Sequence, residues 1–253
     1  MDSPLVLGDV IVIGGGCYGT FYAGQLAQAQ AKGKVRYRRV LVVDRNPECQ
    51  LARDLPAAPD RTLVTADWSA FLDDYLGRHE SGDHSLGGGD VIVPSPLMPH
   101  LMYEWLLRRA RSRWPGRVVE TRAIPASPRT PYDTTAPDYT RYVSFADWLC
   151  PTHCVEPALC PVIRAPRTWE IAEALEDLTT RLAVTAPTAG PVLFQCRHTV
   201  FAVGTFSVAA VLAGDHTVTA AGESGSAIDV LVGTVSSCHG AVNLLHLGSW
   251  GNR

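Results

Sequence analysis

Apolar residues in the first half of the chain alternate between short continuous runs and longer stretches with helical spacing. The runs predict five buried strands, at 9–13, 39–44, 62–67, 90–93 and 117–124. Helical patterns lie between them at 17–31, 68–76 and 100–114. Because continuous apolar strands that alternate with helices are typical of a parallel sheet covered on both faces, we expect an α/β fold with a doubly wound, mostly parallel sheet.

The hydrophobic pattern of the sequence changes after residue 124. Residues 125–167 are rich in proline, have little periodicity and contain three cysteines, which predicts an irregular insertion. Residues 168–253 return to helical and strand patterns, and we expect them to complete the same sheet. The predicted organisation is therefore a nucleotide-binding unit over 1–124, the insertion over 125–167 and a sheet-completing segment over 168–253.

A glycine-rich stretch, VIGGGCYGTFYAG at 12–24, joins the first predicted strand to the first helix. It contains Gly14-x-Gly16-x-x-Gly19, the spacing of a dinucleotide-binding loop. In such a loop Gly14 permits the tight turn, Gly16 lets a pyrophosphate approach the backbone, and Gly19 lets the helix pack closely on the sheet. The helix N-terminus then offers free N–H groups to the phosphates. The alternative is a glycine turn that only packs the helix onto the strand.

Asp44 ends the second predicted strand and is placed to accept hydrogen bonds from ribose hydroxyls. An acid there favours NAD over NADP because it repels a 2′-phosphate, whereas the adjacent Arg45 could accommodate one. We expect an adenine dinucleotide, NAD(P) or FAD, and the acid favours NAD.

The stretches VIVIGGGCYGTFYAGQL, VLVVDRNPE, TLVTADWS and DVIVPSP resemble Rossmann-type nucleotide-binding domains of the TrkA-N kind over residues 9–122. The resemblance implies a Rossmann-like sheet that binds NAD, NADH or another adenine nucleotide. It places the glycine loop, Asp44 and Asp67 (the acid after strand three) around the nucleotide. Domains of that kind regulate potassium transport, but the second half of this chain does not follow their pattern.

Three further side chains near the predicted loop are candidates for the nucleotide site. Cys17 lies at a helix N-terminus, where the pKa of a thiol falls, and could be reactive. Tyr18 could stack on a cofactor ring, and Ser95 follows the fourth strand, where it could line the crevice. For Cys17 and Tyr18 the alternatives are an ordinary loop residue and core packing.

The segment CPTHCVEPALCP places Cys150, Cys154 and Cys160 within eleven residues. Three thiolates can converge on one metal if the backbone turns between them, and cysteine followed by proline recurs in iron–sulfur loops. The spacings match neither the bacterial ferredoxin run nor the paired CxxC of zinc ribbons. We therefore expect an iron–sulfur cluster or zinc, with an iron–sulfur cluster favoured. A disulfide and unligated structural cysteines are the alternatives.

A metal site with four protein ligands needs one residue besides these three cysteines, and the candidates are spread along the chain. They are Cys49, His153, Cys196, Cys238 and His239. The stretch SSCHG follows a predicted strand, so His239 is the predicted fourth ligand, and Cys238 and His239 are also catalytic candidates together with Cys17. Cys196 lies in an apolar strand, where a buried small hydrophobe is the expected role.

Composition and charge exclude several classes of protein. The 253-residue chain has a net charge of −3 and 46% hydrophobic residues, so it presents no basic field for nucleic acid. No run reaches the ~18 apolar residues of a membrane span, and the N-terminus lacks a signal-peptide pattern. We expect a cytoplasmic protein, where seven cysteines favour metal or redox chemistry over disulfides.

Together these features predict a nucleotide-binding redox or electron-transfer protein with a cysteine-ligated metal centre, such as an NAD(P)-dependent oxidoreductase or its subunit. The alternative is a nucleotide-sensing regulatory or partner-binding module whose zinc folds the insertion. A zinc-dependent enzyme with His239 or Glu156 as general base ranks third. Because no second large domain is evident, a protein partner or a second copy is expected to complete a substrate pocket.

Overall fold

The computed structural model describes residues 3–80, 89–151 and 154–250. The chain divides into two compact units. Unit 1 comprises Met1–Met98 and Arg197–Leu212, and unit 2 comprises Pro99–Cys196 and Ala213–Arg253. A six-stranded sheet lies in each unit, and α6 contributes residues to both.

The helices are α1 (Cys17–Ala31), α2 (Gln50–Asp54), α3 (Trp68–Glu80), α4 (Leu101–Arg113), α5 (Ile171–Thr185) and α6 (Val208–Glu223). The strands are β1 (Leu5–Val6), β2 (Asp9–Ile13), β3 (Val35–Arg36), β4 (Arg39–Asp44), β5 (Arg61–Thr65), β6 (Val91–Val93), β7 (Val119–Arg122), β8 (Tyr132–Thr135), β9 (Arg141–Ser144), β10 (Leu159–Cys160), β11 (Ala165–Pro166), β12 (Thr188–Gln195), β13 (Arg197–Val200), β14 (Val203–Ser207), β15 (Ile228–Val235) and β16 (His239–Leu247). None of the helices in the described ranges has the length and apolar character needed to cross a membrane.

Unit 1 is built on four parallel strands in the order β5-β4-β2-β6. β14 then pairs antiparallel with β6, and β13 with β14. Strands β2 and β4 are apolar and buried along most of their length, and α1 packs Ala23, Leu26 and Ala29 into the same core. The carboxyl ends of β2 and β6 lie side by side, so the loops that follow them meet at one edge of the sheet.

Unit 2 is built on a mixed sheet in the order β12-β15-β16-β9-β8, with β7 also paired to β16. Only β12 and β15 are parallel, and every other pair in this sheet is antiparallel. The amphipathic helix α5 packs Ile171, Leu175 and Leu178 onto it, against Leu231 and Val242 of the sheet. This core fixes the turn between β15 and β16, which carries Cys238.

The expected doubly wound, mostly parallel Rossmann-like sheet is wrong. The long strands form two separate six-stranded sheets, and both of these are mixed. The fifth predicted strand, now β7, pairs antiparallel with β16 rather than joining the first four strands. The segment 168–253, expected to complete the same sheet, supplies β13 and β14 to the first sheet and β12, β15 and β16 to the second. Three residues separate β15 from β16, and so short a connection requires an antiparallel pair.

The predicted insertion, 125–167, contains two ordered pieces within the described residues. β8 and β9 form an antiparallel pair that extends the sheet of unit 2. β10 and β11 form a separate hairpin of two residues each. The residues between β9 and β10 are without regular secondary structure where they are described, and they carry Cys150 and Cys154.

Candidate functional site

The glycine loop of unit 1 connects β2 to α1 through a turn that uses its glycines in different ways. Gly14 has a φ of 86°, a left-handed conformation that favours glycine, and its N–H donates to the Val43 carbonyl at 2.8 Å. At Gly19, a Cβ would overlap the Gly14 carbonyl oxygen, so only glycine lets the first turn of α1 approach the loop so closely. Gly15 is held by Cys49, whose thiol occupies the space that a Cβ would need.

Gly16 differs from its neighbours because the space beside it is open. A Cβ at this position would meet no atom within 4 Å, and the residue is exposed. Gly16 is the N-cap of α1 and provides no side-chain cap. The first N–H groups of α1 are therefore uncapped at an open surface, which is the arrangement that binds anionic groups.

The Asp44 carboxylate accepts the N–H of Gly15 at 2.6 Å and the N–H of Asn46 at 2.8 Å, one on each oxygen. These two bonds fix the carboxylate beside the glycine loop. Each oxygen of a carboxylate accepts two hydrogen bonds, so Asp44 keeps acceptor capacity for the hydroxyls of a ribose.

Arg45 and Asp67, both predicted to lie near the nucleotide, form an ion pair with each other. The Arg45 guanidinium also lies 5.0 Å from the centre of the Trp68 ring. Asp67 caps α3 by accepting the N–H groups of Ser69 and Ala70, at 2.9 and 3.1 Å. The hydrogen bond from the Ala70 N–H, with the pairing to Arg45, lowers the pKa of Asp67. Asp67 therefore has a structural role in addition to any contact with a ligand.

The remaining candidates of unit 1 lie at the same edge of the sheet or on α1. Cys17 is exposed at the first position of α1. Tyr18 stacks on Tyr22 one turn along the helix, with 6.3 Å between ring centres. Ser95 is buried after β6 and accepts the Leu97 N–H at 3.3 Å, which stabilises the turn beside the glycine loop.

Four cysteines of unit 2 line a single cavity of about 30 Å³. Cys150 and Cys154 come from the irregular segment after β9, Cys160 ends β10, and Cys238 lies in the turn between β15 and β16. The Phe145 N–H donates to the Cys238 carbonyl at 2.9 Å and ties the end of β9 to that turn. The cavity is lined by Trp148, Cys150, Cys154, Glu156, Cys160, Arg167, Cys238 and His239, among others.

Two of these sulfurs already accept hydrogen bonds from N–H groups. The Trp169 indole Nε1–H donates to Cys238 Sγ at 3.4 Å, and the Glu156 backbone N–H donates to Cys154 Sγ at 3.3 Å. Glu156 adopts a φ of 50°, an uncommon conformation for a residue other than glycine. Such bonds stabilise a thiolate more than a thiol, because the acceptor carries the charge.

The thiols of Cys238 and Cys150 are nevertheless protonated at neutral pH in the absence of a bound group, because the pKa of each is raised. Burial raises the pKa of Cys238 to about 11, against the opposing effect of the Trp169 N–H. Burial also raises the pKa of Cys150, and the neighbouring Cys154, Cys160 and Glu156 raise it further. Because a metal must displace these protons, the affinity of such a site for a metal increases with pH.

Two buried N–H donors around the cavity have no hydrogen-bond partner in the part of the chain that the structure describes. They are Trp148 Nε1 and Arg167 Nε. Burial raises the pKa of the Cys150 thiol overall, and the Trp148 N–H has a smaller, opposing effect. Unpaired buried donors are uncommon and suit a bound group that presents acceptors.

His239, the predicted fourth ligand, lines the same cavity, but its side chain is 62% exposed. Its Nδ1 lies 3.5 Å from Glu156 Oε1. The Glu156 carboxylate is 6% exposed and accepts the Ser236 hydroxyl at 2.6 Å and the Ser237 N–H at 2.8 Å. These contacts hold Glu156 in the wall of the cavity.

The other proposed fourth ligands are placed elsewhere or not described. Cys49 belongs to unit 1, beneath the glycine loop, and His153 lies outside the described residues. Cys196 does not line the cavity, and burial raises the pKa of its thiol to about 12. Within ranges 3–80, 89–151 and 154–250, no group of three or more His, Cys, Asp or Glu side chains is arranged to hold a metal ion.

Sequence reasoning missed Trp169, whose N–H donates to Cys238 Sγ, and Trp148 and Arg167, which line the cavity. Their spacing along the chain does not connect them with the cysteines. Trp169 also stacks on Phe145, with 6.0 Å between ring centres, and Trp148 meets it edge-on at 6.2 Å. All four cysteines are candidates from the sequence alone. Their spacing does not indicate that Cys238, rather than another candidate, lies with Cys150, Cys154 and Cys160.

A protein-family model matches residues 102–248, and its description reads "Uncharacterized protein, C-terminal domain". No curated protein and no solved structure matches the chain. The matched residues make up more than half of the 253-residue chain and include all four cysteines of the cavity. The chain therefore belongs to this family, AF_1314_C.

Proposed function

We propose that the protein is a redox protein that binds an iron–sulfur cluster in unit 2 and an adenine dinucleotide in unit 1. The observation that carries the proposal is the common cavity of Cys150, Cys154, Cys160 and Cys238. Two separate stretches of chain, 150–160 and the turn at Cys238, supply these thiols, and four cysteine thiolates are the ligand set of [2Fe–2S] and [4Fe–4S] clusters.

The residues that follow two of the cysteines favour a cluster over a single zinc ion. Cys150 and Cys160 are each followed by proline, and cysteine followed by proline recurs in iron–sulfur loops.

The N–H groups around the cavity also support a cluster. The inorganic sulfides of a cluster and its thiolates accept hydrogen bonds. Trp148 Nε1 and Arg167 Nε are buried without a described partner, and they line the cavity. The Arg167 guanidinium further offsets the negative charge that four thiolates bring.

The glycine loop supports the nucleotide half of the proposal. The uncapped N-terminus of α1 and the open space at Gly16 suit a pyrophosphate, and Asp44 keeps acceptor capacity for ribose hydroxyls. Arg45 is paired with Asp67, which leaves the acid as the dominant charge facing a ribose and favours NAD. The nucleotide and the cluster would each supply redox chemistry, and the residues of this chain would bind and orient them.

Serine variants of the four cavity cysteines test the cluster. C150S, C154S, C160S and C238S, purified without oxygen, are each expected to lose most of the iron and visible absorption of the wild type. C196S and H239Q are matched controls that should retain both, because Cys196 lies outside the cavity and His239 is largely exposed. Loss of iron in H239Q with retention in C238S would overturn this ligand set.

A structural zinc site is the second candidate, because the segment that carries the cysteines suits a bound metal of either kind. The cysteine segment has little core of its own, because Leu149 is 96% exposed and Leu159 is 60% exposed. A metal of any kind would hold such a segment. One zinc per chain, with no iron and tight nucleotide binding, would support this candidate and contradict the cluster.

A further inference from the structure

Arg45 and Asp67 form their ion pair where β4 and β5 end, at the carboxyl edge of the sheet of unit 1. The two strands are parallel neighbours, and just beyond their last paired residues the Ala66 N–H donates to the Asp44 carbonyl at 3.0 Å. Arg45, which follows Asp44, therefore lies beside the loop that leads from β5 to α3.

The Arg45 guanidinium is held from a second direction by the indole ring of Trp68. Its Cζ atom lies 5.0 Å from the centre of that ring, within the range of a cation–π contact. The ring is itself anchored, because Trp68 Nε1–H donates to the Val43 carbonyl at 3.0 Å. Arg45 is therefore engaged by Asp67 and Trp68 together, although its side chain is 64% exposed.

The two carboxylate oxygens of Asp67 have separate partners. Oδ1 accepts the N–H groups of Ser69 and Ala70 at the start of α3, whereas Oδ2 pairs with Arg45. Capping of the helix fixes the carboxylate without any help from Arg45. The oxygen that the cap does not use is the one that meets the guanidinium.

We propose that Asp67 determines the specificity of the nucleotide site for NAD over NADP by withholding Arg45 from a 2′-phosphate. This inference rests on the proposed function, since it requires an adenine dinucleotide in unit 1. An arginine beside the ribose can accommodate a 2′-phosphate, with which its guanidinium forms charge-assisted hydrogen bonds. In this chain the Asp67 carboxylate neutralises Arg45 and competes with a phosphate for its N–H groups. Asp67 therefore acts on specificity through Arg45.

The experiment is a calorimetric titration of the full chain with NADH and with NADPH. In D67N the amide oxygen keeps the cap of α3, because asparagine caps a helix as well as aspartate does. The amide NH₂ group is a donor, so it cannot pair with the guanidinium, and Arg45 is released. The affinity for NADPH should rise about fivefold or more, as expected when an exposed ion pair is broken, while the affinity for NADH stays within about twofold.

Two variants serve as controls. D74N removes one negative charge from α3 without touching Arg45, because Asp74 pairs with Arg78, so both affinities should match those of wild type. R45Q/D67N lacks the cation that would bind the 2′-phosphate, so its affinity for NADPH should not rise.

The outcomes separate this inference from the proposed function. A gain for NADPH in D67N that is absent from D74N and from R45Q/D67N supports the role of Asp67. An unchanged ratio of the two affinities in D67N overturns that role and leaves the nucleotide site in place. An equal gain in D74N also overturns it, because net charge would then account for both. A wild-type protein that binds neither nucleotide overturns the nucleotide half of the proposed function and the inference with it.

Discussion

At the scale of single residues, Gly16 gives a direct test of nucleotide binding. A Cβ at this position meets no protein atom within 4 Å, and the backbone φ of −77° is ordinary for any residue. We therefore expect G16A to fold and melt like wild type, whereas its methyl group would occupy the space of a bound pyrophosphate. Calorimetric titration with NADH should give at least a tenfold weaker affinity.

The control for this prediction is G24A, on α1 away from the loop, where a Cβ is equally unopposed. Its NADH affinity should match that of the wild type. If G16A binds NADH as tightly as wild type does, the open space is not the pyrophosphate site.

A second residue, Asp9, couples the stability of the protein to pH. Its fully buried carboxylate accepts hydrogen bonds from Arg38 at 2.7 Å, from Arg39 at 2.9 and 3.1 Å and from Tyr75 at 3.1 Å. Burial acts to raise the pKa of Asp9, but the hydrogen bonds and charges of the two arginines outweigh it and lower the pKa. Asp9 therefore stabilises the folded state fully above its unfolded pKa of about 3.9, and this contribution is lost as the pH falls through the lowered native value.

We accordingly expect D9N to lower the free energy of unfolding at pH 7 by roughly 2–4 kcal/mol, because it leaves buried hydrogen bonds and a pair of arginines without their anion. The difference in the free energy of unfolding between D9N and wild type should be smaller near pH 3. Urea unfolding at pH 7 and pH 3 measures this difference, and D74N is the control. Asp74 is exposed and paired with Arg78, so its loss should cost less than about 1 kcal/mol. If D9N lowers the free energy of unfolding as much at pH 3 as at pH 7, the predicted dependence of stability on the ionisation of Asp9 is contradicted.

At the scale of elements, the contact between α1 and the glycine loop depends on a missing side chain. A Cβ at Gly19 would overlap the Gly14 carbonyl oxygen, and the backbone cannot move away cheaply. G19A should therefore destabilise the protein by about 1–3 kcal/mol, as overpacking does elsewhere. G24A lies on the same helix without such an obstacle, and it should be neutral or stabilising by up to about 1 kcal/mol. Thermal unfolding of the two variants side by side distinguishes them; similar melting temperatures would contradict the close approach.

The elements of unit 1 are those that the sequence predicts best. Local apolar runs place β2 and β4 at their observed bounds, and α1 is also placed correctly. Sheet pairing is a different matter, because it depends on partners far apart in the chain. The apolar runs of β7 and β15 look like those of the parallel strands, yet both pair antiparallel with β16. Only the three-residue connection before β16 indicates the antiparallel arrangement.

At the scale of the whole molecule, the chain forms two units, and each carries one of the two candidate sites. Unit 1 carries the glycine loop, and unit 2 carries the cysteine cavity. The sequence indicates both groups of residues because glycines and cysteines are conspicuous in it. It does not indicate the N–H donors of Trp148, Arg167 and Trp169, because only folding brings them to the thiols.

The central claim is the iron–sulfur cluster in unit 2, and chemical analysis of the wild-type protein tests it most directly. The protein is purified without oxygen, and its iron, zinc and acid-labile sulfide are measured together with its absorption spectrum. We predict iron and sulfide in equal amounts and a visible absorption that dithionite bleaches. A colourless protein without iron or sulfide, with its four cavity cysteines bound to zinc or free, would contradict the claim.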